Sequence, residues 1–350
     1  MADPEDWIDP LHGYAYDSFN PDALQLASVK NGRIELPGGG SYDLLVVPLP
    51  NKLSPNKMTA QTIARIDNLE KSGAKIIRGP YTKNVFSIDR DFQPSPGIAW
   101  THRRGEGFDI YFVSNQTASE SIVNLSLRVS GKAPELWDPV SGEISRVVNW
   151  TVKNGRTELP VKLSSFGSVF VVFSQNASPP AQPRGINWLS LMTTDTLKNA
   201  WTVKFDSSYG GPAQPVVFNT LQDWSKHPDS AIRYYSGTAV YAQHFNYKKT
   251  NKKAWLDVGE VNNLATVFVN GVNCGVAWTA PYRVEITAAL HDGDNELRIE
   301  VTNTWANRLI GDQLLPEAKR ITWTTAPFRL KGKPLLKAGL MGPVTLKTEY

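Results

Sequence analysis

The sequence predicts an α+β multidomain protein in three parts: a small α/β segment over residues 1–95, a small antiparallel β unit over 96–174, and a C-terminal jelly-roll β-sandwich over 186–350. Three observations carry this. A single βαβ pattern opens the chain. A polar, Pro-rich stretch without periodicity, Ser174 to Gly185, interrupts it. Short alternating strands separated by turn signals fill both sides of that stretch from residue 96 onward.

In the first part, "YDLLVVPLP" (Tyr42 to Pro50) is a continuous apolar run, as expected of a strand covered on both faces. Ser54 and Pro55 give a helix N-cap with proline at the first helical position. Ile63, Ile66 and Leu69 fall at helical spacing, and Gly73 supplies the stop. "AKIIRG" is the next strand, parallel to the first through a right-handed crossover.

The pattern changes near Pro94. "GIAWTHRRGEGFDIYFVSN" predicts two strands about a Gly-rich turn, Gly105 to Gly107. "VNLSLRVSG" alternates Val123, Leu125, Leu127 and Val129 with polar residues, "ELWDPVSGEI" reads as a hairpin, and "GSVFVVF" closes the unit. After the linker, "YYSGTAVYAQHF" and "KKAWLDVGEV" are strands. "ATVFVNGVNCGVAW" carries an Asn-Gly hairpin signal at Asn270 and Gly271. "YRVEITAAL" leads to the turn "HDGDN", and "NELRIEVTN" alternates Leu297, Ile299 and Val301 with Arg298, Glu300 and Thr302.

Composition narrows the function. The chain has 350 residues, 41% hydrophobic and 20% charged, with a net charge of +4 spread in short mixed runs. It has no basic stripe with interleaved aromatics, so nucleic acid is not an expected partner. No apolar stretch approaches the roughly 20 residues needed to cross a bilayer, so a membrane is not expected either. The one cysteine, Cys274, excludes a disulfide within the chain and leaves the compartment open. The start, "MADPEDWIDPLHGYAYDSF", has neither a basic nor an apolar leader region, so no signal peptide is expected and it reads as an internal segment of something longer. Eleven tryptophans and 24 prolines suit a carbohydrate-active protein.

Several segments together resemble a known family. "WDPVSGEI" and "GRTELPVKLSSFGSVFVVF" resemble the region that follows the catalytic barrel in α-L-rhamnosidases of glycoside hydrolase family 106. "RYYSGTAVYAQHF", "LDVGEVNNLATVFVNGVNCGVAWTAPYRVEIT", "TNTWANRLIGD" and "LLKAGLMGPVTL" resemble that family's sugar-binding, galactose-binding-like jelly roll, related to jelly rolls of family 2 β-glycosidases. "GYAYDSFNPDAL" through "AKIIRG" resembles the amidotransferase-like (flavodoxin-like) α/β domain after the barrel, although this segment is short between Gly79 and Asp91. The resemblance covers nearly all of the chain. It implies a post-barrel portion, with the catalytic barrel or a second copy of the chain as partners beside carbohydrate, and a periplasmic or secreted bacterial setting. Nothing in this chain corresponds to the family's long barrel and its catalytic carboxylates.

The residues exclude some chemistry directly. The α/β segment has no cysteine, so a Cys-His-Glu hydrolase is not expected there, and Cys274 reads as a small buried hydrophobe. His12, His102, His227, His244 and His291 show no metal-ligand spacing. No cofactor is expected, apart from calcium at Asp292, Asp294 and Asn295, where a plain hairpin turn is the favoured alternative. Glycoside hydrolysis needs two carboxylates about 5–9.5 Å apart. Asp257, Glu260, Glu285, Asp312 and Glu317 are the available acids, with turn and surface roles favoured, and no catalytic residue is assigned.

Sugars present apolar CH faces and hydroxyl rims, which aromatic rings and Arg, Asn or Asp match. Trp278, Tyr282, Arg283, Trp305, Asn307, Arg308 and Asp312 supply both kinds. The strand alternation stops at Thr302, so Trp305 to Asp312 are expected in a loop at one end of the sandwich, with Trp278 and Tyr282 on the same rim. The competing expectation is structural: Trp305 as a core plug, and Arg308 with Asp312 as an ion pair fixing the loop or docking it on another domain. The leading functional expectation is a carbohydrate-binding or accessory portion of a rhamnosidase-like glycoside hydrolase. The alternatives are a self-sufficient hydrolase with carboxylates in an inter-domain cleft, and a structural scaffold.

Overall fold

A computed structural model describes residues 13–18, 20–47, 58–79, 86–93, 95–182, 185–325, 329–330 and 332–350. Near the N-terminus, strand Leu45–Val47 lies parallel to Ile76–Arg78, with helix Ala60–Lys71 between them. Thr59 caps this helix, its hydroxyl accepting from the Thr62 amide, and Gly73 with φ +97° ends it. Ser54 and Pro55 lie outside the described residues. The buried stripe is Thr62, Ile66 and Leu69, while Ile63 faces out at 49% exposure. Spacing of four and then three keeps a stripe on one helix face, and the expected Ile63 position drifts off it. Tyr42 belongs to a preceding antiparallel meander, Ser28–Lys30, Arg33–Glu35 and Ser41–Tyr42, rather than to the parallel strand. Leu24, Ala27, Ile34, Ile66, Leu69 and Ala74 form the shared core.

The β unit is two facing antiparallel sheets. One orders Ile144–Arg146, Lys132–Trp137, Ser168–Asn176, Phe108–Asn115 and Ile98–Gly105; the other orders Thr151–Lys153, Arg156–Leu163 and Ser121–Leu127. Alternation places Leu125, Leu127, Leu159, Val161, Tyr111, Val113, Val171 and Phe173 between them. Phe92, fully buried, joins this core and bridges to Leu127.

The C-terminal part is a sandwich. Its six-stranded sheet runs Val216–Phe218, Trp201–Lys204, Thr238–Tyr247, Gly293–Thr302, Leu264–Val269 and Val272–Ala277. The facing sheet runs Leu191–Thr196, Thr345–Glu349, Ala254–Asp257 and Arg283–Glu285. The Asn270-Gly271 turn has φ of 50° and 78°, the positive pair that a two-residue hairpin turn requires. Leu297, Ile299 and Val301 are fully buried, as the period of two demands. Trp201, Trp224 and Tyr241 fill the centre, and the Trp224 indole N–H donates to the Tyr241 hydroxyl at 2.6 Å, so the buried polar ends satisfy each other. Among the described residues, no helix is long and apolar enough to cross a membrane.

The stretch that joins the two β parts is not wholly free. Its first residues extend strand Ser168–Asn176. Just beyond it, the buried Asn187 accepts from the Val148 and Asn149 amides and donates to the Asn149 and Pro160 carbonyls. Asn187→Ala strands these backbone groups. It is expected to cost about 1–3 kcal/mol and to quicken proteolysis of the 174–185 stretch. Unchanged cleavage there would show that Asn187 does not hold the joint.

Candidate functional site

The segment after strand Gly293–Thr302 is a short helix, Ala306–Asp312, and not the expected loop. Its residues lack proline and include the good helix formers Ala, Arg and Leu. Beside Ile310 and Gly311, its inward face is polar: Asn307, Arg308 and Asp312 are 2%, 7% and 1% exposed. Asn307 clasps Leu336, donating to its carbonyl at 2.7 Å and accepting from its amide at 2.8 Å. One Asp312 oxygen accepts from the Ile321 and Thr322 amides and the Thr322 hydroxyl, at 3.1, 2.8 and 2.6 Å. The other lies 3.2 Å from Arg308 Nε, off the line of a hydrogen bond, so that contact is ionic only. The Arg308 amide donates to the buried Ser236 hydroxyl. Asn307 and Asp312 thereby satisfy backbone groups of the excursion after the helix, at Leu336, Ile321 and Thr322.

Trp305 stands apart from them. It begins the helix, is 51% exposed and meets Tyr209 edge to face, with ring centroids 5.7 Å apart. Trp305 and Tyr209 flank a cleft of about 340 Å³, completed by Asp206, Gly237, Thr238, Thr302 and Asn303. Trp278, Tyr282 and Arg283 do not line it. Trp278 is half exposed past the end of strand Val272–Ala277, Tyr282 packs on the sandwich core, and Arg283 sits in the facing sheet opposite Asp257.

The floor of the cleft is stiff. Asp206 caps the turn Ser207–Tyr209, its Oδ1 accepting from the Ser208 amide and hydroxyl. Those bonds hold its carboxyl below the usual range. The Thr238 and Thr302 hydroxyls lie 2.8 Å apart, sharing one hydrogen and leaving another free to donate outward. Asn303 accepts from the Gly237 amide and donates to the Tyr235 carbonyl, and the Tyr235 hydroxyl links the Asp206 amide to the Thr238 carbonyl. Gly210, at φ +74°, leaves room behind Tyr209: a Cβ there would lie 2.9 Å from the Arg308 guanidinium. Sequence reasoning missed Asp206 and Tyr209. The only local signal is "DSSYGG", an acid-capped turn that exposes a tyrosine before paired glycines.

Three of the other acids named from the sequence have protein partners. Asp257 pairs with Lys347, Glu260 with Lys337 and Glu285 with Lys253. In the "HDGDN" turn, Asp292 accepts from the Lys249 amide, Asp294 pairs with His244, and the buried Asn295 bonds His291 and Gly293. Among the described residues, no group of three or more His, Cys, Asp or Glu is placed to hold a metal. Cys274 is partly buried against the sandwich core, and burial pushes its thiol pKa up.

Known proteins share both β parts. The family profile for glycoside hydrolase family 106, α-L-rhamnosidase, matches residues 82–152. The galactose-binding-like domain of glycosyl hydrolase family 2 matches residues 216–329. The solved rhamnosidase from Novosphingobium sp. PP1Y is 31% identical with a TM-score of 0.77; the alignment covers 96% of this chain and 36% of the rhamnosidase. A putative β-glucuronidase from Formosa agariphila is 34% identical over 177 residues, 43% of this chain and 15% of that protein. The chain is thus glycoside hydrolase-related and rhamnosidase-like along most of its length, with a galactose-binding-like sandwich, and it spans about a third of the rhamnosidase that it matches.

Proposed function

We propose that the chain is the carbohydrate-binding, accessory portion of a rhamnosidase-like glycoside hydrolase acting on plant or microbial polysaccharide, and that the Tyr209–Trp305 cleft takes a sugar unit. The observation that carries this reading is the pairing of two half-exposed rings with a rigid polar floor. A ring face covers sugar CH groups, and Asp206, Thr238 and Thr302 meet hydroxyls as acceptors and donors. Among the described residues, Asp206 is the one carboxylate lining the cleft. Hydrolysis by the usual two-carboxylate route needs a second acid, which favours binding over catalysis. Asn307, Arg308 and Asp312 act as the foundation under Trp305.

Binding of neutral oligosaccharides is expected near ~1 mM, because a small open site must immobilise a flexible, well-hydrated ligand. Trp305→Ala and Tyr209→Ala should each weaken it at least about tenfold with little change in melting temperature, since both rings are half exposed. Titration followed by NMR or calorimetry reads this. Retained affinity in both variants rejects the cleft. A docking role against a catalytic barrel is favoured by one observation, the exposed Leu314, Ile321 and Trp323 on the excursion, Trp323 at 83%.

A further inference from the structure

A second cleft, of about 450 Å³, lies in the β unit. Arg104, Gly105, Gly107, Asp109, Arg128, Val129, Ser130, Lys132 and Gly155 line it, so three cations and one carboxylate face the same space. Asp109 is 5% exposed and already committed: it accepts from Arg104 Nε at 2.8 Å, approaches Lys132 at 3.4 Å and lies 3.1 Å from His102 Nε2. Arg128 is anchored from behind, one terminal nitrogen donating to the buried Asp91 at 2.6 Å. The fixed ends of Arg104, Arg128 and Lys132 thus hold their charged groups at the rim without a long search through rotamers. Arg104 is bound through Nε, which leaves its two terminal nitrogens directed away from that bond, a fork suited to two oxygens of one anion. Among the described residues, the lining itself holds no aromatic ring.

We infer that this cleft is an oxyanion subsite for an acidic saccharide, taking the carboxylate of a uronate or a sulfate ester carried on a sugar. The saccharide part of this inference rests on the proposed carbohydrate-binding function; the anion part rests on the cleft alone. The volume exceeds that of a bare inorganic anion and accommodates the ring that carries the charge.

The test uses the full chain, with glucuronic acid, a sulfated monosaccharide, rhamnose and sodium sulfate titrated at matched ionic strength. The acidic sugars should bind at least about tenfold more tightly than rhamnose at this site, and their affinity should fall as salt rises. Arg104→Ala and Lys132→Met should each weaken the acidic sugars about tenfold. Arg104→Lys keeps the charge but loses the fork, and should recover only part of the loss. Melting curves identify any variant that fails to fold, and the remaining ones still decide. Trp305→Ala separates the two sites: it should weaken neutral-sugar binding at least about tenfold and leave acidic-sugar binding intact. Equal binding of rhamnose and glucuronic acid by the Trp305→Ala variant, or acidic-sugar affinities unmoved by all three cleft variants, overturns the inference. Sodium sulfate binding as tightly as the sulfated sugar overturns its saccharide part. Failure of Trp305→Ala to affect neutral sugars counts only against the aromatic cleft.

Discussion

Asp312→Ala should lower the melting temperature of the sandwich by on the order of 10 °C, from a loss of about 3–5 kcal/mol expected when one partner of a buried ion pair is removed. The change leaves the Arg308 guanidinium charged and buried, and it strands the Ile321 and Thr322 amides that share one carboxylate oxygen. Asp312→Asn separates the two causes. It keeps an acceptor for Thr322 but cannot neutralise Arg308, so a loss close to that of alanine assigns the effect to charge. Sugar affinity measured below the lowered melting point should weaken only as far as Trp305 loses its seat. A shift of a degree or two in both variants would sink the view that this pair anchors the excursion.

The second large effect is expected around His102, which is buried between Asp91 at 3.0 Å and Asp109 at 3.1 Å and stacked on Tyr111 with centroids 4.1 Å apart. Burial opposes its charge, but hydrogen bonds with Asp109 and Asp91 outweigh that and raise its pKa above the ordinary value. Burial likewise opposes the Asp91 carboxylate, yet bonds from His102, the Ala15 amide and Arg128 bring its pKa down to about 2. Asp109 is held below the usual carboxylate range in the same way, by His102 and Arg104 against its burial.

The signs follow from linkage. The histidine's contribution is complete below its unfolded value of about 6.5 and is lost as pH climbs through its raised folded value. The aspartates contribute above their unfolded values near 3.9, and that part is lost as pH falls toward 2. The β unit should therefore be most stable from roughly pH 4 to 6.5. His102→Gln should abolish the alkaline decline in melting temperature while leaving the acid decline in place. A wild-type curve that is flat from pH 6 to 9 would refute the charged sandwich of Asp, His and Asp. Asp91→Ala, which also frees Ala15, should cost about 3 kcal/mol or more at pH 6.

Much of the fold was legible because a strand's period of two writes burial directly into sequence. Leu297, Ile299 and Val301 were separable from Arg298 and Glu300 on that basis alone, and Asn270-Gly271 declared its own turn. The helix after Thr302 was not legible. It has only seven residues, and its buried face carries Asn, Arg and Asp, so no apolar stripe marks it. The aromatic cleft was half legible. Trp305 stood out beside a strand end, but its partner ring comes from Tyr209, nearly a hundred positions earlier. The two meet because strand Thr238–Tyr247 pairs with Gly293–Thr302 on one side and with Trp201–Lys204 on the other, which brings the Ser207–Tyr209 turn alongside. The His102 cluster was hidden for a similar reason. Metal-ligand spacing looks for nearby histidines, whereas this site gathers one histidine with Asp109 from the partner strand of its hairpin and Asp91 from a preceding segment.

The clasp that Asn187 makes on the β unit bears on reach. A free polar linker lets two weak sites search a wide range of separations, and the gain from linking them is diluted over that range. A joint fixed by four hydrogen bonds from one side chain restricts the range. On the proposed carbohydrate-binding reading the protein would act as a gauge: polymers whose acidic and neutral units recur at the matching interval would engage both clefts of one molecule, and polymers of other periods would engage one at a time. Loosening Asn187 would trade that selectivity for tolerance, with the affinity of each cleft for a short saccharide left as it was.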